Sequence, residues 1–119
     1  MSKVRTHKDL DVYQYAMQLV TEVYKLTTAF PKEEMYGMVS QMRKAAISIP
    51  SNIAEGSARR HSREFRQFLY VSLGSAVEPE TQIQIARNLE YLSNENYNEL
   101  INKITQILKI LQGLIKSIK

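Results

Sequence analysis

The sequence predicts an all-α protein, an antiparallel up-and-down four-helix bundle, with residues 1–119 forming a single domain. Three observations predict it. Only 4 Gly and 3 Pro occur in 119 residues, so few breaks are available and the helices must be long. Apolar residues recur at three- and four-residue spacing, as in Met42, Ala45, Ala46, Ile49 and Ile53, rather than alternating. The length suits one core that buries roughly two-thirds of the unfolded surface.

The first helix is expected from about Leu10 to Ala29, with Asp9 as its N-cap and Pro31 just past its end, where a ring without an N–H cannot continue the helix. A short connection around "FPKEEMYG" follows. The second helix is expected from near Met38 to Glu55, ending at Gly56, a residue free to take the left-handed conformation of a helix C-terminus. Pro50 removes one backbone hydrogen bond and presses on the Ala46 carbonyl. The apolar pattern keeps its spacing across it, so the helix should kink rather than stop. The third helix should start near Ser62, a natural N-cap, and reach about Tyr91. Within it Pro79, in "GSAVEPETQ", withdraws the bond to the Ser75 carbonyl and should kink or split the helix. The fourth follows Ser93 and continues to the end of the chain.

The apolar faces are wider than one bundle requires. Placed at about 100° per residue, the apolar residues from Ile101 to Ile118 fill an arc of about 180°, and those from Tyr13 to Leu26 about 200°. A stripe of little more than about 100° is enough for a helix packed into one core. Either a small bundle wraps these helices tightly or a second face meets another subunit; the surplus predicts self-association.

Cysteine is absent, which excludes disulfides and thiolate metal sites. The N-terminus resembles neither a signal nor a transit peptide, so the reducing cytoplasm is expected. No apolar run approaches the roughly 20 residues of a membrane span. The formal charge of +4 and pI near 9.4 permit attraction to nucleic acid without requiring it. Enzymatic signals are thin. There is no Gly-rich phosphate loop, and Val4 and Ala58, three residues before His7 and His61, rule out a pair of Glu-x-x-His di-iron motifs. His61 and Glu64 make a single His-x-x-Glu pair, too few ligands for a metal. Tyr13, Tyr24, Phe65 and Phe68 have the spacing of core residues rather than of base-stacking platforms. The sequence thus predicts no enzyme, no cofactor and no metal.

The run "SIPSNIAEGSARRHSREF" at 48–65 is the most informative stretch. Pro50 and Gly56 shape and end a helix. Asn52 and Glu55, three apart on one face, are placed to fix the corner by hydrogen bonds to free backbone groups or to a neighbouring helix. Arg59 and Arg60 lie beyond the helix C-terminus, where cations favour the dipole by a few tenths of a kcal/mol. Arg63 and Arg66 fall in the first turns of the next helix, where positive charge is disfavoured and only Glu64 offsets it. An external anion explains them better. With His61 these four arginines form a candidate phosphate-binding corner, to which Arg43 and Lys44 are possible additions. A solvated basic surface is the simpler alternative.

"HKDLDVYQYAMQLV", "FPKEEMYGMVSQMRKAAISIPSNIAEGSARR", "EFRQFLYVSLGSAVEPETQ" and "IARNLEYLS" together resemble the four-helix-bundle family of proteins encoded in intervening sequences of bacterial 23S ribosomal RNA genes. Ser48, Pro50, Asn52, Ile53, Ala54, Glu55 and Gly56 carry the most specific part of the likeness. Pro79 departs from the pattern, where an apolar residue, usually Leu, stands between the two glutamates. The resemblance implies a bundle that assembles as a ring, a homopentamer. Five copies at +4 each carry +20, and their repeated basic corners would engage a long RNA multivalently. The expected function is therefore that of a non-enzymatic, oligomeric RNA-binding or RNA-associated protein. The alternative is an oligomeric protein-interaction scaffold with no nucleic-acid role, from which salt-sensitive binding would separate it.

Overall fold

Helical propensity and buried apolar faces produce four helices: α1 (Asp11–Thr27), α2 (Ser40–Ser57), α3 (Ser62–Asn88) and α4 (Asn94–Ser117). The computed structural model describes residues 10–118. The contacts fix the directions, because residue numbers rise along one helix as they fall along its neighbour. Ser48 of α2 meets Ser75 of α3, while Gly56, further along α2, meets Phe68 and Phe65. Arg66 and Arg87 of α3 reach Ile118 and Asn94 in the same inverse order. α3 therefore runs antiparallel to both α2 and α4. Leu19, Met42, Ile49, Ile53, Leu69 and Ile104 are among the side chains that close the core between them.

α1 begins at Asp11 with Leu10 in the cap position and no side-chain cap. The N-cap assigned to Asp9 lies outside the described residues, as does His7. The helix stops at Thr27, two residues earlier than expected, because hydroxyls compete for its last carbonyls. Thr27 Oγ1 donates to the Val23 carbonyl at 2.6 Å and Thr28 Oγ1 to the Tyr24 carbonyl at 2.9 Å.

The connection before α2 is more helical than the sequence predicts. A 3₁₀ turn at Lys32–Glu34 leads into a π-helix at Met35–Val39, and this passes directly into α2. α2 continues across Pro50, which is buried, and α3 continues across buried Pro79 without splitting. Beside Pro50, the buried Ser72 hydroxyl donates to the Ile49 carbonyl at 2.9 Å, tying α3 to α2.

Gly56 does not end α2 in the left-handed conformation that the sequence suggests: no described glycine has positive φ, and α2 runs on to Ser57. Its lack of a side chain serves packing: a β-carbon there would lie 2.6 Å from Phe68 Cβ. The left-handed residue is instead Glu90, with φ 65°, which ends α3 at Asn88 rather than near Tyr91. Its N–H donates to the Arg87 carbonyl and the Tyr91 N–H to the Ala86 carbonyl, the paired bonds of a Schellman ending. Ser62 is likewise the first residue of α3 rather than its cap; His61 takes the cap position without a capping side-chain bond. Ser93 does cap α4, its hydroxyl accepting from the Asn96 N–H at 3.1 Å.

Candidate nucleic-acid interface

Residues 58–61 link α2 to α3 and form one end of the bundle, where α4 also finishes. Arg59, Arg60, His61 and Arg63 are all exposed there. Arg59 is held in place: its Nη2 lies 3.2 Å from Glu55 Oε2, and its guanidinium covers the Phe68 ring at 4.8 Å from the centroid. Such an exposed pair adds little stability, but it orients the guanidinium. The side chains of Arg60 and Arg63 make no hydrogen bond or ion pair with another described residue.

The structure does not gather the six candidate cations into one patch. Arg66 is half-buried and turned inward, its Nη1 donating to the Ile118 carbonyl at 3.1 Å. It offsets negative charge at the C-terminus of α4, so it needs no external anion to explain it. Arg43 does the same for α1. Its Nε donates to Thr27 Oγ1 at 3.0 Å, its Nη2 to the Tyr24 carbonyl at 3.2 Å, and its guanidinium stacks 4.5 Å from the Tyr24 ring centre. Lys44 is exposed beside it. This pair lies about 24 Å along α2 from Arg59, at about 1.5 Å per residue. The candidate surface contracts to Arg59, Arg60 and Arg63, with His61 between them.

Behind the arginines, Asn52 bonds within its own helix. Its Nδ2 donates to the Ser48 carbonyl at 2.8 Å and to Ser48 Oγ at 3.1 Å, and Ser48 Oγ meets Ser75 Oγ of α3 at 2.9 Å. Glu55 faces outward to Arg59 instead of joining this network.

The wide apolar faces resolve differently on the two helices that carry them. On α4 the surplus is absorbed within the chain, where Ile101, Leu108, Ile110 and Leu114 pack partly buried against the core. On α1, Met17 and Tyr24 remain exposed. Exposed apolar residues that the periodicity did not single out lie on the π-helix and on the outer face of α3. Tyr36 is the extreme case, 96% exposed. The only sequence signal for it was an aromatic residue in a connection.

Among the described residues no group of three or more His, Cys, Asp or Glu side chains could hold a metal ion, and no helix is long and apolar enough to cross a membrane. Fold and surface together define a four-helix bundle with an outward-facing basic corner. The family described as 23S rRNA-intervening sequence protein matches residues 8–113, and the chain belongs to that family. It is also similar to a solved structure from Bacteroides thetaiotaomicron VPI-5482, described as a protein of unknown function from the S23 ribosomal protein family. That likeness has a TM-score of 0.81 at 25% identity, over 88% of this chain and 95% of the other. No curated protein matches the chain.

Proposed function

We propose that this is a non-enzymatic, self-associating RNA-binding protein that contacts phosphates through Arg59, Arg60 and Arg63. The observation that carries the reading is the state of Arg60 and Arg63: exposed, at a helix corner, and matched to no anion within the described chain. Membership of a family named for 23S rRNA intervening sequences supports RNA as the anion. Phosphate contacts of this kind position a nucleic acid without reading bases, so any preference comes from RNA shape. A homopentameric ring, the assembly its family resemblance implies, would repeat the corner five times and raise avidity.

The test is fluorescence anisotropy with a structured ribosomal RNA fragment and a matched DNA duplex, at about 50 and about 200 mM salt. The reading expects binding that favours RNA and weakens steeply with salt, and its loss in an Arg60→Glu, Arg63→Glu variant. Absence of binding to either nucleic acid at low salt would overturn it in favour of a protein scaffold.

A further inference from the structure

Among the described residues ten large apolar side chains are exposed, and they divide into two sets of five. Met17, Tyr24, Met35, Tyr36 and Ile47 belong to a trough between α1 and α2 that opens onto the π-helix. The trough is two concavities of about 350 and 300 Å³ that share Ile47 in their walls, and Pro50, Ser51 and Ala54 carry it down α2. Tyr70, Val71, Val77 and Ile85 lie on α3, and Leu89 follows as its C-cap. At about 100° per residue they fall within about 120° of arc, on the face turned away from core residues Leu69, Ala76 and Ile83. One set forms a groove and the other a ridge, and each runs for roughly 25–30 Å at about 1.5 Å per residue.

We infer that the ridge of one subunit seats in the groove of a second copy, head to tail. The inference rests on the self-association proposed above and supplies the surfaces for it. Charge complements shape. The groove is basic at the end bearing Arg43 and Lys44, while exposed Glu78 lies within the ridge's arc on α3 and exposed Glu90 just past the end of that helix. Because Ser48 lies level with Ser75, Lys44 is level with Glu78. A rotation about an axis parallel to the helices therefore brings the basic end of one copy against the acidic half of the next. Gly74 fits the same contact. It sits mid-helix on the ridge, with nothing within 4 Å of where its β-carbon would be, although glycine there weakens a helix by about 1 kcal/mol relative to alanine. A glycine on a ridge lets a neighbouring helix approach closely. Groove and ridge are different surfaces, so the contact is heterologous and propagates to a closed ring or an open chain rather than a two-fold dimer.

Light scattering on the full chain with Ile47→Glu in the groove and Val77→Glu on the ridge tests this, with circular dichroism confirming that both exposed substitutions leave the bundle folded. The wild type should exceed the 13.8 kDa of one chain, and each variant should fall to it. An equimolar mixture should give a species of twice that mass, since one variant keeps its ridge and the other its groove. A wild-type mass of one chain would overturn self-association and this interface together. A large wild-type mass that survives both substitutions would overturn the interface and leave self-association standing. A mixture that stays monomeric would overturn the head-to-tail pairing. The chain has no cysteine, so Ile47→Cys and Val77→Cys chains offer an independent reading: a disulfide between them forms only where the two faces meet.

Discussion

A β-carbon on Gly56 would lie 2.6 Å from Cβ of Phe68 and 3.1 Å from a ring carbon of Phe65, closer than the helices α2 and α3 can tolerate at their present separation. Gly56→Ala should therefore destabilise the protein. Overpacking costs typically about 1–3 kcal/mol, and the better helix propensity of alanine returns about 1 kcal/mol of it. A fall of several degrees in melting temperature is expected. Gly74→Ala is the control, because its added methyl meets nothing within the chain and should stabilise an isolated subunit by up to about 1 kcal/mol.

Glu90 occupies a left-handed conformation at φ 65°, where a side chain costs roughly 1–2 kcal/mol and glycine pays no such strain. Glycine's greater freedom in the unfolded chain returns about 0.5–1 kcal/mol of that gain. Glu90→Gly should thus raise stability by about 0.5–1 kcal/mol in urea denaturation. No gain would mean that the Glu90 side chain makes a compensating interaction.

Arg66 and Arg63 are predicted to separate stability from binding. Arg66→Ala removes the bond to the Ile118 carbonyl and should cost on the order of 1 kcal/mol. Arg63→Ala, at an exposed position, should change stability by less than about 0.5 kcal/mol while weakening RNA binding. Thermal melts and anisotropy on both variants check the pair; equal stability losses would contradict the placement of Arg66.

Tyr91 makes the alkaline limb of stability readable. Its hydroxyl donates to Glu34 Oε2 at 2.9 Å, joining the α3–α4 turn to the 3₁₀ turn before α2. That hydrogen bond first, then burial and the negative charges of Glu34 and Glu33, raises its pKa above the ordinary 10.0. The neutral phenol is the form the fold favours, so its contribution is full below 10.0 and lost as pH rises through the raised folded value. Tyr91→Phe should be less stable than wild type at neutral pH, because it loses this hydrogen bond. The gap should close in alkaline solution; denaturant titrations across that range measure it.

Helix number, the Ser93 cap of α4 and the continuity of apolar spacing across Pro50 were legible in local pattern, since each depends on residues a few positions apart, and the family was legible in motifs spread along the chain. The uses of Arg66 and Arg43 were not. Arg66 answers a carbonyl 52 residues away, and Arg43 answers Thr27 and Tyr24, 16 and 19 residues back. In sequence each is one more arginine in a basic stretch. The ridge on α3 was hidden for a related reason: Tyr70, Val77 and Ile85 share their helix with the core residues Leu69, Ala76 and Ile83, so apolar residues occupy both faces and periodicity points to neither.

The sequence by itself determined that this chain forms a four-helix bundle, because short-range spacing of apolar residues and the scarcity of breakers leave few other ways to bury them. Only the tertiary structure decided which cations remain outward and which apolar residues remain uncovered. Charge neutralisation and burial are set by neighbours in space, and antiparallel packing brings together carbonyls, rings and backbones that lie far apart along the chain.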